Sequence, residues 1–275
     1  MPRYPFGTQS VIDGLSRELD AIEKTWPMIG SYERVDPYIV PLLQANQRFE
    51  LIVYHIESKL WFDKSWTDHA QLEVLRRGFI RPGSVAFDLG CNSGSVTMSM
   101  AAQAGPTGHV HAFDPYPWNA AATRASARLN RLDNITAHAV GLSNRTHSIR
   151  VSPNDSRIYA PSATESSQTL DIRHIRDYMH LKPSFLKMDI EGAEHELFDI
   201  DDTDLYDGVE WVFLEYHPMW IEPRGIDCRV PLRNMRRHGF EVHFHSPDAA
   251  PFDIEGYAKQ CRFWLSRPPA GSPRG

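Results

Sequence analysis

VAFDLGCNSG, residues 85–94, joins a short apolar run to a turn that contains two glycines. An apolar run of this length is typical of a strand that is buried on both faces of a parallel sheet. Asp88 lies near its end, and glycine permits positive φ and close approach of a ligand to the backbone. Because ligands bind beyond the carboxyl ends of strands in open α/β sheets, the stretch predicts a nucleotide-type site formed by Asp88, Gly90, Asn92 and Gly94.

The spacing of the two glycines indicates which nucleotide fits. A dinucleotide fold expects G-x-G-x-x-G with a pyrophosphate at the helix N-terminus, and the loop lacks that pattern. A carboxylate at the strand end would repel a pyrophosphate, whereas it suits a ligand that carries an ammonium group and no phosphate. S-adenosylmethionine has both properties. An NAD(P)-dependent oxidoreductase is therefore disfavoured, and a simple tight turn at Gly90 and Gly94 is the structural alternative.

The next two predicted strands add the remaining donor contacts. Asp114 ends the run at 109–113 and lies 26 positions after Asp88. A carboxylate there can accept hydrogen bonds from both ribose hydroxyls, although a helix-capping turn is the alternative. Gly141 and Leu142 follow the third strand, and we expect them either to frame an adenine ring or to form a plain turn.

Ionisable residues also end the fourth and fifth predicted strands. Asp189 lies near the end of the predicted strand 185–190, and Glu215 and His217 end the run that begins at Trp211. These three residues are the candidate catalytic groups, because a base or an orienting group helps a hydroxyl to accept a methyl group. They are equally compatible with a divalent cation such as Mg²⁺, since hard cations favour oxygen ligands. The spacing of Glu191 and Glu194 predicts that they share one helix face, with helix-dipole complementation as the simplest role.

The whole pattern resembles the FkbM family of methyltransferases. The resemblance covers roughly residues 60–245, and its most specific element is the stretch around Asp189. It implies a class I methyltransferase fold of seven strands, the last antiparallel, with S-adenosylmethionine as donor and O-methylation of sugars or secondary metabolites. It also implies that the loop residues hold the methionine moiety, Asp114 the ribose, and Asp189 faces the methyl group. Cys91 lies at a position where the family usually has alanine, and Asp114 lies at a position where glutamate is common. The matching stretches are FDLGCNSGSVT (87–97), HVHAFDPYP (109–117), NITAHAVGLS (134–143), TLD (169–171), LKMDIEGAEHEL (186–197) and FLEYH (213–217).

Alternating strands and helices predict an α/β fold: a Rossmann-like, mostly parallel sheet with helices on both faces. We divide the chain into an N-terminal extension (1–60), a methyltransferase domain (61–267) and a frayed tail (268–275). The extension is expected to cover the substrate pocket or to form a homodimer contact. Trp61, Trp66 and His69 are candidates near the acceptor, although core packing is the favoured role for the tryptophans. Beyond the strand ends above, the pattern predicts helices at 8–24, 69–79, 94–103, 118–129, 172–180, 193–198 and 230–238, strands at 49–56, 59–62, 135–140, 240–245 and 261–265, and a hairpin with a mobile loop at 146–169.

The amino-acid composition limits the classes of partner that we expect for this protein. The 275 residues carry a net charge of −6, from 29 basic and 35 acidic side chains. That balance argues against nucleic acid and against an anionic membrane surface as partners. Three scattered cysteines fit a reducing compartment, so we expect a cytoplasmic enzyme. The hypothesis is a small-molecule O-methyltransferase, with a sugar, secondary metabolite or carboxylate as acceptor. An N-methyltransferase and a non-catalytic nucleotide-binding module are the alternatives.

Overall fold

A seven-stranded sheet forms the centre of the molecule. The structure, a computed structural model, describes residues 7–28, 32–44, 47–62, 78–151, 168–255 and 262–267. Apolar runs form the central strands because those strands are covered by helices on both faces. The seven strands are β3 (Val85–Leu89), β4 (His109–Phe113), β5 (Ile135–His138), β9 (Phe185–Met188), β10 (Trp211–Glu215), β11 (Glu241–Phe244) and β12 (Arg262–Ser266).

The strand order is β11-β12-β10-β9-β3-β4-β5. Strands β5, β4, β3, β9 and β10 pair in parallel, and β12 is antiparallel to both of its neighbours. This confirms the predicted fold class, a seven-stranded class I methyltransferase sheet whose last strand is antiparallel. The parallel strands bring their carboxyl ends to one edge, where the candidate site residues meet. The helices are Thr8–Glu23, Ile56–Phe62, Ser95–Ala104, Pro117–Leu129, Arg176–Met179, Glu194–Leu197, Pro218–Ile221 and Arg229–Arg237, with a 3₁₀ turn at Glu222–Arg224.

The N-terminal extension packs against the helix Pro117–Leu129. It consists of the helix Thr8–Glu23 and an antiparallel hairpin of β1 (Arg34–Gln44) and β2 (Gln47–His55). The Asn130 side chain accepts from the Glu50 amide and donates to the Glu50 carbonyl, each at 2.8 Å. These bonds satisfy the edge of β2 against the helix end and fix the hairpin to the core.

A second small sheet lies beside the third strand of the core. It contains β6 (Gly141–Ser143), β7 (His147–Val151) and β8 (Gln168–His174), in the order β6-β8-β7. The predicted helix at 172–180 is therefore wrong in its first residues. The sequence there alternates, with Leu170 and Ile172 buried and Asp171 exposed, and period-two burial is the signature of a strand.

The predicted strand at 59–62 is also wrong, because these residues belong to the helix Ile56–Phe62. His55 starts that helix: its Nδ1 accepts from the Ser58 amide at 3.1 Å, which satisfies one of the free N–H groups of the first turn. Trp61 is 38% exposed, so its expected place in the core is not found. Trp66, His69, most of the predicted helix 69–79, the loop of the hairpin and the tail 268–275 lie outside the described residues. Over the described ranges, none of the helices has the length and apolar character needed to span a bilayer.

Candidate functional site

The loop after β3 is fixed by bonds to the neighbouring strand. The amides of Gly90 and Cys91 both donate to the Phe113 carbonyl, at 2.9 and 3.1 Å. Gly90 has φ 78°, and a Cβ at this position would lie 1.7 Å from the Asp189 carbonyl oxygen. Glycine is therefore required, because the backbone that follows β9 leaves no room for a side chain at position 90. Gly94, with φ 86°, starts the following helix against Thr123.

Asp114 lies at the end of β4 with its carboxylate oriented by the loop. It is 5% exposed, and its oxygens accept from the amides of Asn92 and Tyr116, each at 3.0 Å. Burial raises the pKa of Asp114 to about 6, although bonds from Asn119, Tyr116 and Asn92 act in the opposite direction. Bonds from Asn119, Tyr116 and Asn92 occupy three of the roughly four acceptor sites of a carboxylate, so one site remains for a ligand hydroxyl.

The N-terminal extension reaches this carboxylate, which the sequence did not predict. The Tyr54 hydroxyl donates to Oδ1 of Asn119, and the Asn119 side chain bonds to Asp114. Glu57, in the helix Ile56–Phe62, has a buried Oε2 that lacks a hydrogen-bond partner among the described residues. Burial, together with the charges of Glu191 and Asp114, raises the pKa of Glu57 to about 7. These contacts place Tyr54 and Glu57 of the extension close to Asp114.

A narrow cleft lies at the same sheet edge. Gly141 and Leu142, the residues expected to frame an adenine, lie in its wall, and so does Gly90. Ile190 and Ala193, on the loop that follows β9, close its other side. The cleft therefore connects the loop after β3 with the loop that carries Asp189. The lining residues are Leu89, Gly90, Phe113, Pro115, Gly141, Leu142, Ser143, Ile172, Ile190 and Ala193.

Asp88 lies beneath this edge rather than on it. Its carboxylate is fully buried, accepts from the Thr97 hydroxyl at 2.6 Å, and lies 3.3 Å from Nζ of Lys187. Lys187 also donates to the Gly90 carbonyl at 2.9 Å and lies 3.6 Å from Asp189. Burial lowers the pKa of Lys187, but Asp88 and Asp189 outweigh this and raise it above its ordinary value. The expected direct contact of Asp88 with a ligand ammonium group does not fit this geometry, because the carboxylate is already paired inside the protein.

His217 is held beside Asp189 by a residue whose role the sequence left open. Its Nδ1 lies 2.8 Å from Oε1 of the fully buried Glu194, and that oxygen also accepts from the amides of Ile190 and Gly192. Nε2 of His217 lies 3.8 Å from Oδ1 of Asp189. Burial alone lowers the pKa of His217, but the bond and charge of Glu194, with the charges of Glu191 and Asp189, raise it to about 9. The imidazole is therefore oriented by Glu194 and faces Asp189.

Glu191 joins this group, although the sequence placed it on a helix. The helix begins only at Glu194, and Glu191 has φ 52° in the preceding turn, so the two do not share a helix face. Its Oε2 accepts from Nε1 of Trp220 at 3.1 Å and lies 3.7 Å from Nε2 of His217. A Cβ on Gly192 would lie 2.8 Å from Cβ of Trp220, so glycine there lets the indole approach.

Glu215 is not part of the group, which corrects the expected pairing of Asp189 and Glu215. Glu215 ends β10 and lies 3.6 Å from Nη2 of Arg262 on the neighbouring strand β12. His217 lies beyond the strand end, with φ −114° and ψ 69°, so strand alternation does not align it with Glu215. Among the described residues, the ligand atoms of Asp189, Glu191 and His217 all lie within 4.8 Å of one another.

Comparison with known proteins places the chain in a family. The model of the methyltransferase FkbM domain matches residues 88–242, more than half of the chain. None of the curated proteins matches the sequence.

Similar solved structures include a SAM-dependent methyltransferase from Aquifex aeolicus, with 11% identity, 71% of this chain and 88% of that chain covered, and a TM-score of 0.40. A SAM-dependent O-methyltransferase from Thermotoga maritima has 10% identity, covers 83% of this chain and 77% of that chain, and has a TM-score of 0.42. The assignment rests on the family match together with the strand order, not on these likenesses. The chain belongs to the FkbM family and is an S-adenosylmethionine-dependent methyltransferase.

Proposed function

We propose that the protein transfers the methyl group of S-adenosylmethionine to a hydroxyl group of a small molecule. The observation that carries this proposal is the juxtaposition of Asp189, His217 and buried Glu194 at one end of the donor cleft. The cleft is lined by Ile190 and Ala193 from the same loop, and His217 is oriented by Glu194 at 2.8 Å. Methylation of a hydroxyl group needs a base and an oriented imidazole. A module that only binds a ligand needs neither.

The cleft and Asp114 determine where we place the methyl donor. We assign the adenine to the cleft wall at Gly141 and Leu142, and a ribose hydroxyl to the remaining lone pair of Asp114. The loop with Gly90, Asn92 and Gly94 would hold the methionine moiety, and Asp88 would act indirectly by fixing Lys187 beneath the loop. When bound, the donor supplies a methyl group on a positively charged sulfur.

The acceptor end uses Asp189 and His217. Asp189 is 22% exposed on its side chain, so its carboxylate can reach an acceptor hydroxyl and take its proton as the oxygen attacks. His217 orients that oxygen through Nε2 and is itself held by Glu194. Positioning of this kind can supply ~7–11 kcal/mol of the barrier. The acidic surroundings favour a neutral polyol over an anionic carboxylate as acceptor.

The affinity for S-adenosylhomocysteine should fall as the pH drops through about 6, because the carboxylate of Asp114 must be ionised to accept the charge-assisted ribose bond. One pH unit below the pKa, ~10% of the carboxylate is ionised, so we expect roughly tenfold weaker binding. Calorimetric titration at several pH values measures this. Asp114→Asn should bind weakly throughout and lose the step near pH 6. A wild-type affinity that does not change between ~pH 5 and ~pH 8 would count against the ribose assignment.

The test of the function itself is product analysis. The full-length protein is incubated with methyl-labelled S-adenosylmethionine and a panel of methyl glycosides, phenols, carboxylic acids and primary amines, and each product is identified by mass and NMR. A methyl ether is expected. A methylamine would favour the N-methyltransferase, and donor binding without any product would favour a non-catalytic module.

A further inference from the structure

We infer that Asp189, Glu191 and His217 bind a divalent cation of the first transition row. The ion would lie where the acceptor hydroxyl is expected. Its catalytic role therefore rests on the proposed function. This site differs from the cation site that the sequence suggests, since Glu191 replaces Glu215. Two distances, an upper limit on the third and the orientation of one buried side chain support this site.

The ligand atoms lie close enough to share one ion. Nε2 of His217 lies 3.8 Å from Oδ1 of Asp189 and 3.7 Å from Oε2 of Glu191. Two atoms that each lie ~2.1 Å from one ion can be at most ~4.2 Å apart, and both separations fall below that limit. The three atoms all lie within 4.8 Å of one another, so a small side-chain movement would bring all three within bonding distance of one ion.

His217 supplies an observation that is independent of the acidic groups. It is 8% exposed, and its Nε2, which lacks a hydrogen-bond partner within 3.5 Å among the described residues, points between the two carboxylates. Its other ring nitrogen is bonded to Glu194 at 2.8 Å. Metal-binding histidines almost always place their second nitrogen on a carboxylate, a carbonyl or a water, which fixes the ring and raises its basicity. Glu194 has that position here.

The two carboxylates are held so that one side of the group stays open. Lys187 lies 3.6 Å from Oδ2 of Asp189, so Oδ1 remains directed at His217. Trp220 donates to Oε2 of Glu191 at 3.1 Å and fixes that side chain. The side chains of Asp189 and Glu191 are 22% and 43% exposed. Three protein ligands with open positions are the pattern of catalytic metal sites.

The ligand chemistry selects the ion. A set of one imidazole and two carboxylates suits Mn²⁺, Fe²⁺, Co²⁺ or Zn²⁺ better than Ca²⁺ or Mg²⁺, which prefer oxygen alone. An acceptor hydroxyl that enters an open position would have a lower pKa. With the ion bound, Asp189 and His217 act as its ligands rather than as base and orienting group. The O–H bond then breaks with the proton leaving to water, the O–CH₃ bond forms, and the S–CH₃ bond breaks with its electron pair remaining on sulfur.

The test is titration of the full-length protein with Mn²⁺, followed by the EPR signal of the free ion. We expect one ion per chain, with affinity reduced at least ~10-fold in Glu191→Gln, because loss of an outer-shell partner alone costs ~10–100-fold. Glu215→Gln is the matched control, because it removes the strand-end carboxylate beside Arg262 and should leave the affinity within about twofold. Pulsed EPR of the wild type should also detect a coupled nitrogen from His217, which does not depend on any variant folding.

The inference is overturned if Mn²⁺ fails to bind at ~1 mM, if Glu191→Gln and Glu215→Gln bind it equally, or if the bound ion shows no nitrogen coupling. Binding of S-adenosylhomocysteine shows that each variant is folded. The proposed function is tested separately, by O-methylation with and without a chelator. If Mn²⁺ does not bind and O-methylation is unchanged in a chelator, the metal site is ruled out and the proposed function stands. If Mn²⁺ binds as expected but no methyl ether forms, the proposed function is ruled out and the metal site stands.

Discussion

Replacement of Asp189 by asparagine is expected to lower kcat by about 100-fold to 10,000-fold and to leave the affinity for S-adenosylhomocysteine within about threefold. The substitution preserves shape but removes the charge that would accept the acceptor proton. The donor cleft is lined by Ile190 and Ala193 rather than by the side chain of Asp189, so donor binding should persist. Steady-state kinetics on the best acceptor from the panel, with calorimetry for the donor product, separates the two effects.

Glu215→Gln is the control for that variant, because Glu215 ends the adjacent strand but pairs with Arg262 at 3.6 Å. Its loss of turnover should be much smaller than that of Asp189→Asn. Equal losses would favour the pairing of Asp189 with Glu215 that the sequence suggests. Unchanged turnover in Asp189→Asn would remove Asp189 from the chemistry.

Lys187→Met should lower the free energy of unfolding by about 3–5 kcal/mol. Lys187 is buried between Asp88 and Asp189 and also donates to the Gly90 carbonyl. Removal of the ammonium group leaves the fully buried carboxylate of Asp88 with the Thr97 hydroxyl as its remaining hydrogen-bond partner among the described residues. Urea unfolding followed by circular dichroism measures the loss.

The double variant Asp88→Asn with Lys187→Met separates this explanation from a general packing defect. Removal of both charges deletes the unpaired carboxylate, so the double variant should regain much of the lost stability. A loss below about 1 kcal/mol in Lys187→Met, or a double variant less stable than the single one, would contradict the role assigned to this buried pair.

The central sheet was predictable because its strands are short apolar runs, and the observed bounds of β3 and β4 agree with the predicted ones. The N-terminal hairpin was harder. β1 contains Pro37 and Pro41, and proline is unusual within strands except at edges. The predicted helix at 172–180 starts too early, because residues 172–174 form the end of β8, where burial alternates.

The candidate site was predictable as a set of strand-end residues but not as a set of contacts. Asp114, Asn92, Asp189 and His217 lie where the strand ends place them. The burial of Asp88 against Lys187 depends on a side chain from the next strand. Glu194 could not be distinguished from a helix-capping acid, since only the fold shows that its carboxylate turns inward to His217.

A crystal structure of the full-length protein with S-adenosylhomocysteine tests the proposed donor site most directly. We expect the adenine against Gly141 and Leu142, a ribose hydroxyl on Asp114, and the sulfur turned toward Asp189 and His217. A ligand bound elsewhere, or a ribose that does not contact Asp114, would contradict this placement.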